Sequence, residues 1–163
     1  MNIRACTVAD IADVQAIYAH HVRTGFGTFE EEPPSLEEMR QRFVALASQD
    51  FPFHVALIGG RVAGYAYAGP FRPRAAYRHT CESSVYVAAD AQRRGVGREL
   101  MMRVIDECQR LGKRQMLAVI GDSANAASIG LHSALGFVSA GIFRNIGYKF
   151  GRWVDVVLMQ RAL

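Results

Sequence analysis

The fold is decided by one stretch of sequence, Ser84-Val85-Tyr86-Val87-Ala88-Ala89-Asp90-Ala91-Gln92-Arg93-Arg94-Gly95-Val96-Gly97-Arg98. Its first part is β-branched and aromatic, which predicts a strand, and its second part is a basic turn that opens an amphipathic helix. The first N–H groups of a helix have no intrahelical acceptor and lie at the positive end of the helix dipole, so an anion can bind them. The stretch therefore predicts a phosphate-binding turn between a strand and a helix.

The residue types in this turn suit a phosphate ligand. Gly95 and Gly97 have no Cβ to hinder the approach of a diphosphate to the backbone, and the guanidinium groups of Arg93, Arg94 and Arg98 match phosphate oxygens. An isolated Gly-x-Gly indicates an ordinary turn with solvated arginines, but here a strand precedes it and a long amphipathic helix follows. A P-loop and a dinucleotide fold are excluded, because neither Gly-Lys-Ser/Thr nor G-x-G-x-x-G is present.

Length and composition bound the class of protein. The chain has 163 residues, enough for one domain over residues 1–163 and too few for two independent cores, so we expect no linker. Hydrophobic residues make up 50% and charged residues 21%, as in ordinary globular proteins. The net charge of +4 is modest and the only lysines are Lys113 and Lys149, which argues against a broad nucleic-acid-binding face.

Neither a targeting segment nor a disulfide framework is indicated. No run approaches the roughly 20 apolar residues of a membrane span, and Asp10 and Asp13 interrupt the N-terminal segment. We therefore expect a cytoplasmic protein without a signal peptide or a membrane partner. Cys6, Cys81 and Cys108 are odd in number and lack metal-ligand spacing, so they predict buried small side chains and no metal site.

The order of the periodic segments predicts a mixed sheet, β-α-α-β-β-β-α-β-α-β-β. The pair Gly59-Gly60 joins two strand-like runs as a tight hairpin turn. The run 114–120 follows the central helix, and a strand–helix–strand unit crosses over right-handedly to a parallel neighbour. Two tail strands are expected at 137–146 and 152–160, separated by residues 147–151.

Two motifs resemble a known family. The segment Gln92 to Gly97 resembles the Q/R-x-x-G-x-G/A signature of the GNAT superfamily of acyl-CoA-dependent N-acetyltransferases. The segment Asn125 to Phe137 fits its second pattern, N-x-x-A-x-x-L-Y-x-x-x-G-F, with Ser128 in place of the alanine and His132 in place of the tyrosine. The resemblance implies acetyl-CoA as co-substrate. It also implies a GNAT-like α/β fold, with a mixed, mostly antiparallel sheet of about seven strands, helices on both faces and a splayed central parallel pair.

The resemblance assigns residues to acetyl-CoA. The pantetheine arm would lie in the gap of the splayed pair and bind the backbone of Val85, Tyr86 and Val87, as a peptide adds to a strand edge, while their side chains belong to the core. Asn125 suits an N-cap and is also a candidate to reach the arm. The candidate cofactor-binding residues are Val85, Tyr86, Val87, Gln92, Arg93, Arg94, Gly95, Val96, Gly97, Arg98, Asn125 and Ser128.

His132 has two interpretations. Many family members carry a tyrosine at this position that is proposed to protonate the departing CoA thiolate. A histidine, with an unperturbed pKa of about 6.5, can also donate a proton near neutrality. The alternative is a histidine that packs on the helix surface without a part in catalysis.

A closer resemblance covers nearly the whole chain. The segments Tyr77 to Val87, Phe29 to Pro34 and Lys149 to Asp155 are similar to the branch of phosphinothricin acetyltransferases and methionine sulfoximine/sulfone acetyltransferases. On that match Glu82 is the general base and Arg72 contacts an anionic group of the substrate.

Glu82 also stands out from the residues alone. A carboxylate in a strand of apolar and small residues is costly unless it faces a cleft or has a partner. The alternative is a solvent-facing glutamate. Phe29 and Tyr77 are candidates for lining the substrate pocket, although such aromatics are more often core or interface residues.

The expected function is transfer of acetyl from acetyl-CoA to the amino group of a small amino acid or analogue, such as L-phosphinothricin, methionine sulfoximine or methionine sulfone. Transfer would be direct, without an acyl-enzyme. The alternatives are an acetyltransferase for a protein N-terminus, a polyamine or an aminoglycoside, and a non-catalytic acetyl-CoA-binding module. By analogy with the family, we also expect the protein to form a homodimer.

Overall fold

Strand and helix patterns alternate along the chain. In the computed structural model, which describes residues 1–163, the strands form one open sheet and the helices pack on its faces. The strands are β1 (Asn2–Ala5), β2 (Phe53–Ile58), β3 (Arg61–Pro70), β4 (Thr80–Val87), β5 (Gln115–Gly121), β6 (Val138–Lys149) and β7 (Arg152–Ala162). The helices are α1 (Ile11–Thr24), α2 (Leu36–Ala47), α3 (Val96–Arg110) and α4 (Ala126–Ala134). None of these helices has the length and apolar character needed to cross a membrane.

The sheet has the topology expected from the sequence. Its strand order is β1-β2-β3-β4-β5-β7-β6, and every neighbouring pair is antiparallel except β4 and β5. The parallel ladder joins Thr80–Ser83 to Gln115–Ala118 and ends there, although both strands continue. The later parts of β4 and β5 therefore separate, and a gap opens in the middle of the sheet.

Helices cover both faces of the sheet, and each face has its own core. One core lies beneath α3, where Leu100 and Met116 are fully buried. The other lies beneath α1 and α2, where Val14 and Tyr65 are buried. The expected fold class is confirmed, and the three cysteines are free and buried as predicted.

The tail hairpin differs from the sequence expectation. β6 continues through Gly147 to Lys149, and the turn consists of Phe150 and Gly151 alone, with φ of 49° and 76°. Positive φ at both central positions is the geometry that two-residue hairpins favour. Gly147 does not end the strand, because the irregularity is absorbed by a bulge in which residues 144–146 stand opposite Asp155.

Candidate active site

The turn between β4 and α3 presents free backbone N–H groups. Arg93 and Gly95 adopt left-handed conformations, with φ of 58° and 80°, and α3 begins at Val96 with Gly95 as its N-cap. The N–H groups of Gln92, Arg93, Arg94 and Gly95 donate no hydrogen bond within the chain. Together with the N–H groups of the first helical turn, they form a surface to which an anion can bind.

Positive charge surrounds this turn. Arg93, Arg94 and Arg98 are exposed, and the only ion pair among them joins Arg98 to Glu99 at 3.5 Å. Val96 is buried and anchors the start of the helix in the core. The guanidinium groups of Arg93 and Arg94 are therefore free to bind phosphate oxygens, and the exposed pair of Arg98 is weak enough to be exchanged for a phosphate, while the backbone beneath them is fixed.

Gly97 lies where three elements meet. A Cβ built on it would come 3.3 Å from a methyl of Leu131 in α4, and 3.6 Å and 3.8 Å from methyls of Val87 and Val85 in β4. The start of α3 thus lies directly beside the part of β4 that has left β5. The turn and the strand edge that the family resemblance assigns to acetyl-CoA are adjacent in space.

The gap in the sheet begins after Ser83, whose Oγ donates a hydrogen bond of 3.2 Å to the carbonyl oxygen of Leu117. Beyond it, Val85, Tyr86 and Val87 still pair with β3 but have no partner in β5. The two valine side chains pack towards α3 and the tyrosine towards α1. Their side chains belong to the cores, as expected, and only their backbone edge faces the gap.

His21 of α1 is a residue to which sequence reasoning assigned no role. Its Nε2 lies 2.9 Å from the carbonyl oxygen of Val87, and its ring lies 5.4 Å from the ring of Tyr86. Burial lowers the pKa of His21, so the ring is neutral and donates Nε2–H to that carbonyl. No spacing signals this contact, because it joins residues far apart in the sequence.

A cavity of about 560 Å³ lies beside β4 and β5 where the two strands separate. Its volume is typical of a site for a small molecule. Its walls are mostly apolar, with two charged groups. The lining side chains include Phe29, Phe71, Arg72, Glu82, Leu117, Val119, Ala140, Phe143, Ile146, Val156 and Leu158.

Glu82 enters this cavity from β4, one residue before the parallel ladder ends. Its neighbour on β3 is Gly69, which has no side chain to cover it. Burial alone raises the pKa of Glu82 above its ordinary value of 4.5, and no ion pair joins the carboxylate to the rest of the chain. An unpaired, half-buried carboxylate in a cleft has the properties of a general base.

Arg72 lines the same cavity from the segment between β3 and β4. Its guanidinium carbon lies 4.9 Å from the centre of the Phe71 ring, and the group is exposed. The cavity therefore contains a carboxylate and a guanidinium that are not paired with each other. Such an arrangement can bind a ligand that carries both an amine and an anionic group.

Of the two aromatic candidates, Phe29 lines the cavity and Tyr77 does not. Tyr77 is exposed and packs edge-on against Phe71, with ring centres 5.4 Å apart. It therefore supports a wall of the cavity from behind. Sequence reasoning could not separate these cases, because neither the segment between α1 and α2, which carries Phe29, nor the segment between β3 and β4, which carries Tyr77, has a periodic pattern.

Asn125 and Ser128 form the start of α4. The Oδ1 atom of Asn125 accepts the backbone N–H of Ser128 at 3.1 Å, and its Nδ2 donates to the carbonyl oxygen of Gly121 at 3.4 Å. The predicted N-cap is therefore present. The amide already has two partners within the fold, so it would have to exchange one of them to reach a ligand.

His132 is buried, and its geometry favours the packing interpretation. Its Nδ1 lies 2.8 Å from the carbonyl oxygen of Ser128, and its ring packs edge-on against Phe137. Burial lowers the pKa of His132, although the bond to Ser128 opposes this. A neutral imidazole that donates its Nδ1 proton to a carbonyl carries no proton on Nε2, so it has none to give to a thiolate.

The edge strand β6 supplies a wall of the cavity that sequence reasoning missed. Phe143, Ile146 and Gly147 line the cavity within and next to the bulge. A strand was predicted here, but which of its residues face the cavity depends on the bulge, where three residues stand opposite one. No group of three or more His, Cys, Asp or Glu side chains is arranged to hold a metal ion.

Comparison with known proteins finds acetyltransferases. A family model described as an acetyltransferase (GNAT) domain matches residues 3–158. The chain is 52% identical over 164 residues to the phosphinothricin N-acetyltransferase of Alcaligenes faecalis, a match that covers 98% of this chain and 83% of that protein. It is 41% identical over 163 residues to an L-methionine sulfoximine/L-methionine sulfone acetyltransferase of Pseudomonas paraeruginosa, covering 99% and 94% of the two chains.

A solved structure agrees with this one over nearly its whole length. The crystal structure of a GNAT superfamily phosphinothricin acetyltransferase from Sinorhizobium meliloti, in complex with acetyl-CoA, matches with a TM-score of 0.97 and 43% identity. The match covers 99% of this chain and 88% of that one. The family resemblance inferred from the sequence motifs is confirmed.

Proposed function

The chain belongs to the family of GNAT acetyltransferase domains and is an acetyl-CoA-dependent N-acetyltransferase, and we propose that its acceptor is the amino group of a small amino acid or analogue. L-phosphinothricin, methionine sulfoximine and methionine sulfone are the candidates, because the relatives described above are named for them. The whole chain, residues 1–163, would act as one domain in this reaction.

One observation carries this proposal: Glu82 and Arg72 face the same cavity, and neither has an ion-pair partner in the chain. An amino acid carries an amine next to an anionic group, which matches a base and a guanidinium at separate places in one pocket. The mostly apolar walls would then contact the side chain of the acceptor. A phosphinate or sulfonyl oxygen can serve as a further acceptor of hydrogen bonds.

The arrangement of the elements accounts for how acetyl-CoA would be held. The exposed arginines and free N–H groups of residues 92–98 would bind its diphosphate, and the open backbone edge of Val85 to Val87 would bind the pantetheine arm. His21 acts as a positioning residue, since its bond fixes the Val87 carbonyl at the end of that edge. Acetyl-CoA supplies the thioester carbon that the amine attacks.

Glu82 performs the proton transfer. It accepts the proton of the acceptor ammonium, directly or through a water, so that the free amine can attack the thioester carbon. The C–N bond forms, the C–S bond breaks, and the proton that the attacking nitrogen then loses neutralises the departing CoA thiolate. N–H groups of β4 near Val87 would stabilise the negative charge that develops on the carbonyl oxygen. Cys81 is fully buried and has no catalytic partner, so the transfer is direct and no acyl-enzyme forms. The remaining contribution of the chain is to position both substrates.

Arg72 also disfavours other acceptors. A polyamine would place a second cation beside its guanidinium, and like charges in a partly desolvated pocket reduce affinity. The same argument applies to an aminoglycoside. A peptide N-terminus lacks an anion at the matching distance unless its side chains provide one. Comparing these three acceptors with the amino-acid analogues therefore tests the role of Arg72 in substrate choice.

The assembly and the compartment are part of the proposal. The edge strand β6 exposes Ile142, Phe143, Ile146 and Tyr148, and an exposed apolar edge strand favours pairing with a second copy. We therefore expect a homodimer. Three free cysteines favour a reducing compartment, which is consistent with the cytoplasm.

The experiment that tests the substrate assignment is a comparison of kcat/KM across amines. Release of CoA thiol is followed with L-phosphinothricin, methionine sulfoximine and methionine sulfone, and with spermidine, an aminoglycoside and a peptide N-terminus. The amino-acid analogues should be preferred, and Arg72→Ala should reduce their kcat/KM selectively. Preference for spermidine or the peptide, or an Arg72→Ala variant that handles the analogues like wild type, would contradict the assignment.

A further inference from the structure

One wall of the cavity joins two segments that are far apart in sequence. Phe29 comes from the segment between α1 and α2, and Gly147 comes from the edge strand β6. A Cβ built on Gly147 would lie less than 3.0 Å from the ring of Phe29, which no real Cβ contact allows. The ring therefore lies on the bare backbone of β6, and only glycine permits this position.

The backbone of the segment that carries Phe29 is held by the same part of the sheet. A Cβ on Gly121 would overlap the carbonyl group of Phe26, so the segment rests on the end of β5. Residues 25–29 form no helix or strand of their own. Contacts with the sheet must therefore fix where Phe29 lies.

Lys149 supplies the most specific of these contacts. Its side chain is buried, and its Nζ donates to the carbonyl oxygens of Gly25 at 2.9 Å and Thr28 at 2.8 Å. Burial lowers the pKa of Lys149, and the nearby carboxylates of Glu30 and Glu31 oppose this change. A buried ammonium is costly unless it is bonded, and here both bonds go to the segment that carries Phe29.

The bulge of β6 sets the positions of Gly147 and Lys149 relative to the segment that carries Phe29. Asp155 accepts the backbone N–H of Asn145 at 2.9 Å and the guanidinium of Arg144 at 2.8 Å. Asn145 has a positive φ of 50°, which interrupts the regular alternation of the strand. The bulge is therefore pinned, and Gly147 and Lys149 follow it at fixed positions.

We propose that Gly147 and Lys149 are positioning residues for the acceptor, which hold Phe29 in the wall of the pocket and thereby decide which acceptors fit. This inference rests on the proposed function, because it takes the cavity beside Glu82 as the acceptor site. The turn that would bind the diphosphate belongs to β4 and α3, so changes at Gly147 and Lys149 should alter the use of the acceptor and spare acetyl-CoA.

The first test adds one methyl group at each of two glycines. Gly147→Ala places a Cβ against Phe29, whereas Gly27→Ala adds a Cβ in the same segment as Phe29 where no atom lies within 4 Å. Gly147→Ala should reduce kcat/KM for methionine sulfone by about tenfold or more, since small displacements of a positioned substrate are costly. Gly27→Ala should behave like wild type, and both variants should keep the KM for acetyl-CoA.

A double-mutant cycle shows whether the effect passes through the ring. In a Phe29→Ala background, Gly147→Ala no longer meets an aromatic side chain, so it should change kcat/KM by less than about twofold. Equal effects of Gly147→Ala in the two backgrounds, or equal effects of Gly147→Ala and Gly27→Ala, would overturn the proposal.

Lys149 provides a test that does not depend on the glycines. Lys149→Met removes both hydrogen bonds while keeping the length of the side chain, and should raise the KM for methionine sulfone more than it lowers kcat. Lys149→Arg keeps the donors and should recover part of the loss. A uniform fall in kcat with an unchanged acceptor KM would indicate a structural role only. If Lys149→Met does not fold, the double-mutant cycle of Gly147 and Phe29 still tests the proposal.

Failure of this inference can be told apart from failure of the proposed function. If wild type acetylates none of the amino-acid analogues, the proposed function is wrong. A crystal structure of Gly147→Ala then remains informative, because the Phe29 ring should leave its position whatever the acceptor is. A ring that stays in place while Gly147→Ala accommodates its methyl elsewhere would overturn the positioning role.

Discussion

Replacing Glu82 by glutamine should slow acetyl transfer by about 100- to 10,000-fold at neutral pH, the usual contribution of a general base. The structure makes this substitution informative, because burial is the only influence on the Glu82 pKa and no ion pair would be broken. Glutamine has the same shape, and removing a charge that burial disfavours should leave Tm unchanged or slightly raised. Affinity for acetyl-CoA should stay within about twofold, since the carboxylate does not lie in the diphosphate-binding turn.

The pH dependence of kcat/KM should show whether Glu82 acts as the base. Burial raises the pKa of Glu82 above 4.5, and the base must be unprotonated to act. Wild-type kcat/KM should therefore be retained above the raised pKa and lost as the pH falls through it. The acid limb should be absent from the residual activity of Glu82→Gln.

The assay is the initial rate of thiol release from about pH 5 to pH 9 with saturating acetyl-CoA, together with calorimetric titration of acetyl-CoA into each variant. Glu37→Gln is a suitable control, because Glu37 is an exposed glutamate on α2. A Glu82→Gln variant with an unchanged rate, or with the wild-type acid limb, would refute the assignment of Glu82 as the base.

Three further predictions concern the cofactor, the stability and the second catalytic candidate. Gly97→Glu should weaken acetyl-CoA binding, because the new carboxylate would stand beside Val87 and repel a diphosphate, so wild-type affinity in a folded variant would contradict this site. Asp10→Asn should lower the free energy of unfolding by about 1–3 kcal/mol at neutral pH. The bonds from Arg4, both 2.7 Å, hold the pKa of Asp10 well below 3.8, so urea titrations should show this difference above that pH and lose it as the pH falls below. His132→Gln should reduce kcat far less than Glu82→Gln, and a comparable loss would restore the proton-donor interpretation.

The sequence predicted the central part of the molecule well, because that part is built from local signals. The strand, turn and helix around Gly95 each have their own residue pattern, and the left-handed φ of Gly95 is one that glycine adopts readily. Glu82 was found because a carboxylate conflicts with its apolar surroundings. Conflicts of this kind can be read in the sequence without knowing what the residue faces.

The periphery of the site could not be predicted for the opposite reason. The bulge in β6 depends on Asp155 of the next strand, and the position of Phe29 depends on a missing Cβ at Gly147. The contact of His21 with Val87 joins a helix to a distant strand. These features arise from tertiary contacts between residues that show no periodicity or spacing, and only the folded structure brings them together.

The decisive measurement is a crystal structure with CoA and methionine sulfone bound together. We expect the acceptor amine within hydrogen-bonding distance of Glu82, directly or through one water, and its anionic group at Arg72. We also expect the pantetheine amides on the backbone of Val85 to Val87 and the diphosphate on the turn before α3. An acceptor bound outside the cavity of Glu82 and Arg72, or CoA bound away from the gap between β4 and β5, would show that both binding sites have been wrongly placed.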